Sequence, residues 1–140
     1  MTPTPRWFRP LAITALLWNL LGCAAYIADV RLTPDDIARL SAAQQAMYAA
    51  RPAWAVGATA TAVWFGALGC AGLVTARRWA YPLLLISLLG VVVQDVALFG
   101  IVHAASLGGP VPVILQGVVL AIAVGLVALA RRASARGWLA

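Results

Sequence analysis

A chain of 140 residues with 64% hydrophobic and 10% charged side chains cannot present a water-soluble surface. Soluble domains carry about 25% charged residues, so bilayer lipid must serve as most of the solvent here. The ten cations are all Arg, set against four Asp and no Glu, for a formal net charge of +6. In a soluble protein that balance would point to nucleic acid. Here most of the arginines flank apolar segments and no basic run is interleaved with aromatics, so phospholipid is the expected partner and nucleic acid is set aside.

Four apolar stretches reach the roughly 20 residues that a membrane-spanning helix needs. The first covers residues 11–30. Its end, Leu20-Leu21-Gly22-Cys23, approximates a lipoprotein cleavage box, but Trp18 and Asn19 interrupt the apolar region and Leu21 stands where a small residue is usual. An uncleaved helix is the expectation. After it, Thr33 is a good N-cap, Pro34 suits the first helical position, and Asp35 and Asp36 complement the helix dipole. Ile37, Leu40, Met47 and Tyr48 fall on one side at helical spacing, which predicts an amphipathic surface helix over 34–51 that Pro52 ends.

The second span, 54–76, carries Ala58, Ala62, Gly66 and Cys70 at four-residue intervals. Such a small-residue stripe lets helix backbones approach closely, within one chain or between chains. Arg77 and Arg78 separate it from the third span, 81–104. A chargeless loop, SLGGPVP, leads to the fourth span, 111–130, where Gly117, Ala121 and Gly125 repeat the stripe. The fold predicted is all-α, a single four-helix transmembrane bundle. Arg6, Arg9, Arg77, Arg78, Arg131, Arg132 and Arg136 lie on one side of it, so the positive-inside rule places both termini in the cytoplasm and the 34–51 helix outside. Trp7, Trp54, Trp79 and Trp138 fall where indoles anchor helices at interfaces.

Counting helix rise from the cytoplasmic side puts Asp95, Tyr26, Thr61 and Gln116 at one level, about 20 Å up. Gln94 adjoins Asp95, Asn19 sits one or two turns deeper, and His103 follows Asp95 at i+8 on the same helix face. An aspartate at bilayer depth costs at least about 2.5–3.5 kcal/mol and usually faces the bundle interior or a wet cavity. One reading has Asp95 exchange a proton or bind a cation or polar solute, with His103 as relay. The other makes Gln94 and Asp95 hydrogen-bonding glue between helices.

Catalytic chemistry is not expected. One His and four Asp assemble no nucleophile–base grouping, carboxylate pair or metal set, and no cofactor is implied. Cys23 and Cys70 differ in depth by roughly 10 Å, too far for a disulfide, and read as buried small hydrophobes.

The stretches ALLWNLLG (15–22), LSAAQQAMYAARPAW (40–54), AVWFGALGC (62–70), RRWAYPLLLISLLGVVVQ (77–94) and RGWL (136–139) together resemble small four-span bacterial inner-membrane proteins often labelled "sugar transporter". The resemblance spans nearly the whole chain and implies an inner-membrane location. Its pattern includes Gln94 and allows an apolar residue at position 95. It assigns no substrate residues. Two functions follow as expectations. One is a small-solute transporter, proton-coupled if Asp95 titrates, acting as an oligomer because four helices enclose little room. The other is an accessory subunit that packs on a larger membrane partner or organises lipid.

Overall fold

The computed structural model describes residues 3–140. Helix α1 (Phe8–Val30) is followed by two short helices, α2 (Pro34–Ala38) and α3 (Ala42–Ala50). Then come α4 (Ala53–Val74), α5 (Ala80–Asp95) with a π-helical extension over Val96–Ile101, α6 (Ala104–Gly108) and α7 (Pro110–Ala135). There is no strand among the described residues. Four helices are long and apolar enough to cross a membrane: α1, α4, α5 with its extension, and α7. The chain is an all-α, multi-pass membrane protein.

Helix α4 is the centre of the bundle. Of its most apolar window 44% is buried, against 17% in α1 and 11% in α7. It packs on α1 and on α5, and α5 packs in turn on α7. Small residues make this possible. A Cβ on Gly90 of α5 would lie 2.8 Å from the Ala62 nitrogen and 2.9 Å from the Ala58 carbonyl oxygen, so the α4 and α5 backbones touch there. Gly69 and Gly72 leave room for side chains instead, those of Leu84 and of Trp79 and Ala80. The predicted stripe Ala58, Ala62, Gly66 and Cys70 is buried within the chain. The second stripe behaves differently: Gly117, Ala121 and Gly125 face outward, and nothing lies within 4 Å of a Cβ on either glycine.

At the end of the bundle that carries both chain termini, one core cluster joins Phe8, Ala12 and Ala15 of α1 with Leu73, Leu84, Leu126, Ala130 and Leu139. Trp138, expected as an interface anchor, belongs to this cluster. It is 6% exposed, with its ring edge-to-face against Phe8 at 5.5 Å and Trp7 at 5.9 Å. It turns inward because α7 ends at Ala135 and Gly137 takes a φ of +73°. The tail then pairs with the α4–α5 loop, through Ala140 N–H to the Ala76 carbonyl and Arg78 N–H to that of Ala140.

At the opposite end the expected 34–51 helix is two helices. Thr33 and Asp36 form a capping box on α2, and Ser41 and Gln44 form a second on α3. Two start signals a few residues apart divide the segment. Gln45 seals the break by donating to the carbonyls of Ala38 and Leu40. The third span is also interrupted. After Asp95 the hydrogen bonding shifts to π spacing, with Val102 N–H donating to Ala97, and His103 adopts a left-handed φ of +56°. The i+8 relation that would align His103 with Asp95 is therefore not realised, because regular α-helical spacing ends at Asp95.

Candidate functional site

Helices α1 and α7 meet through the core at the terminal end and diverge beyond it, because each packs on a different neighbour. The space between them is a cavity of about 550 Å³, within the range usual for small-molecule sites. Its walls come from α1, α4, α5 with its π extension, and α7, and Arg51 reaches it from the loop after α3. Most of the lining is apolar. The polar groups fall at three levels.

The deepest level holds Asn19 and Ser87. The Asn19 amide donates to the Ala15 carbonyl at 2.9 Å and to Cys70 Sγ at 3.4 Å. Ser87, buried on α5, donates to the Ala62 carbonyl at 2.6 Å across the helix contact. Gly66 of α4 leaves the room for both, since a Cβ there would collide with Asn19 Oδ1 and approach Ser87 Oγ to 3.0 Å. Asn19 Oδ1 itself is packed against the Gly66 backbone of α4.

One to two turns further along, Gln94 Nε2 donates to Gln116 Oε1 at 3.0 Å, tying α5 to α7. Each glutamine keeps a spare group, an acceptor on Gln94 and an NH₂ donor on Gln116. Thr59 and Tyr26 add hydroxyl-bearing side chains to the walls. At the mouth, Asp29 at the end of α1 accepts from the Tyr48 hydroxyl and pairs with Arg51 at 2.9 Å. The Arg51 guanidinium also lies over the Tyr48 ring, 4.7 Å from its centroid. Burial, then the Asp29 hydrogen bond and charge, push the Tyr48 phenol up to about 12.

Of the residues singled out from sequence, the structure gathers Asn19, Tyr26, Gln94 and Gln116 around one cavity. It leaves three outside the lining. Thr61 donates to the Gly57 carbonyl of its own helix. His103 is exposed at the break before α6. Asp95, beside Gln94, is not part of the cavity lining, and its Oδ1 is buried without a hydrogen bond. The structure adds Ser87, Thr59, Asp29 and Arg51. Ser87 was open to detection, because it precedes Gln94 by seven residues, two helical turns on one face. Asp29 and Arg51 lie 22 residues apart, and no sequence spacing marks them as a pair. Both cysteines are buried and free, with Cys23 Sγ 3.3 Å from the Val63 carbonyl. No protein-family model, curated protein or solved structure matches this chain.

Proposed function

We propose that this protein binds a small neutral solute inside a single chain and transports it across a bacterial inner membrane. One observation carries the reading: the cavity between α1 and α7 is lined by uncharged hydrogen-bonding groups from four different helices. Its only charges stand at the mouth, where Asp29 and Arg51 neutralise each other. An ion would find no uncompensated countercharge in such a chamber, whereas a hydroxyl or amide group would find both a donor and acceptors. The core at the terminal end closes the cavity on that side, as one conformation of a carrier requires.

The arginines near both termini and in the α4–α5 loop favour cytoplasmic termini by the positive-inside rule. The cavity mouth, α2 and α3 then face outward. A Ser41→Cys variant should react with a membrane-impermeant maleimide added to intact cells, since both native thiols are buried; protection until lysis would reverse the orientation.

Binding is tested by thermal shift of the purified protein against a panel of sugars, polyols and small amides. At least one should raise the melting temperature, and Gln116→Leu or Asn19→Leu should remove that shift. A stabilising solute indifferent to both substitutions would refute the chamber. Transport is then read as flux of that solute in proteoliposomes. One chain supplies the whole lining of the cavity.

A second reading rests on the outward face of α7. Gly117, Ala121 and Gly125 are uncovered there, and small residues at this spacing suit close packing against another membrane helix. That face fits an accessory subunit, or a contact between copies of the carrier.

A further inference from the structure

Building on the chamber reading, we infer that the cavity takes its ligand sideways from the bilayer, through the slot between α1 and α7. The ligand inferred is a single-chain amphiphile with a neutral hydroxyl or amide headgroup.

Three observations point that way. The first is where the cavity is open. Trp18 and Leu21 of α1 and Leu115 of α7 line it, yet they are 36%, 65% and 52% exposed. Residues that face both the cavity and the surroundings form a rim. This rim includes the middle of α1, far from either end of the helix, so its surroundings are hydrocarbon.

The second is what lies across the other route. Helix α3 is tied to the end of α1 through Tyr48 and Asp29, with Arg51 just after it pairing with the same carboxylate. On its other side, Met47 lies beside Gly108 of α6, which abuts Pro112 of α7. The short helix thus bridges the two helix ends there and obstructs access from water, while among the described residues no element bridges the lateral side.

The third is the chemistry of the walls. Gln116 offers a spare donor and Gln94 a spare acceptor, which together match a group that both gives and takes hydrogen bonds. Around them the walls are apolar, with Leu84, Leu98, Val102, Val119, Ile122 and Leu126 in the lining. A phosphate or carboxylate headgroup would lack a cation, since the one Arg at the mouth is already paired.

The test uses the full chain in phosphatidylcholine nanodiscs doped with 1-monooleoylglycerol, or with oleoyl phosphatidylglycerol, or with neither but bathed in glucose. Bound molecules are counted by native mass spectrometry after release. Monooleoylglycerol should be retained at one per chain and enriched at least tenfold over its share of the bilayer. The anionic lipid should show no enrichment. Gln116→Leu should lower retention at least fivefold, and Ala123→Trp, which fills the cavity, should abolish it. If Ala123→Trp fails to fold, as judged by its melting transition, the Gln116→Leu arm decides. Retention of glucose without monooleoylglycerol, lost on Gln116→Leu, would overturn the lateral route and leave the chamber standing. Equal enrichment of both lipids, untouched by Gln116→Leu, would overturn the assignment as mere annular lipid. No retention of any probe would overturn both readings.

Discussion

Tyr48, Asp29 and Arg51 meet at the cavity mouth although 19 and 22 residues of chain separate Tyr48 and Arg51 from Asp29. Their arrangement makes a prediction with a sign. The Tyr48 phenol is raised from its ordinary 10 to about 12, chiefly by burial and then by Asp29. The folded state therefore holds that proton more tightly than the unfolded chain does. Its stabilising contribution is complete below about pH 10 and is lost as pH rises towards about 12. The phenolate absorbance difference between the wild type and Tyr48→Phe should have its midpoint near the upper value. Asp29→Asn should lower that midpoint part of the way, because burial persists; a midpoint at the ordinary tyrosine value would contradict the geometry. Asp95 shows the limit of reading at this scale. Counting helix rise gives a residue's depth, but its azimuth depends on which neighbours the helix packs against. Gln94 and Asp95 are adjacent in sequence, and only Gln94 faces the cavity.

Among the helices, the sequence was most legible where periodicity is long. The four spans lie close to the predicted bounds because lipid demands continuous apolar length, which is a one-dimensional property. The short segments were harder. A second capping box within 34–51 is present in the letters as Ser41 and Gln44, but the apolar spacing runs across the break and hides it. The π extension after Asp95 has no such marker, since VALFGI reads equally well as α-helix. The two small-residue stripes were alike in sequence, and packing order alone distinguishes them. Helix α4 has neighbours on two sides, whereas the α7 stripe has none. Gly90→Ala should therefore destabilise the fold by about 1–3 kcal/mol, because its methyl would meet backbone that has little freedom to yield. Gly117→Ala and Gly125→Ala, which meet open space inside a helix, should be neutral or stabilise by up to about 1 kcal/mol. Thermal unfolding in one detergent compares all three. Equal losses would mean that the outward face of α7 is packed in the isolated protein.

On the scale of the whole molecule, a four-helix chain encloses a cavity by declining to close its bundle. Two outer helices share one core at the terminal end and separate beyond it, held apart by the α4–α5 pair on which they pack. The exposed surface carries large apolar side chains such as Leu21, Leu89, Val111 and Ile114, as lipid requires. The polar groups that the sequence placed in one layer are in part drawn inward, where they line the cavity at three levels. The proposed function requires that one chain alone form the binding chamber. Native mass spectrometry of the protein extracted gently from its own membrane should find one small neutral molecule on each chain, and Gln116→Leu should release it. Chains with no bound molecule, or found only in a fixed complex with a different protein, would contradict that requirement.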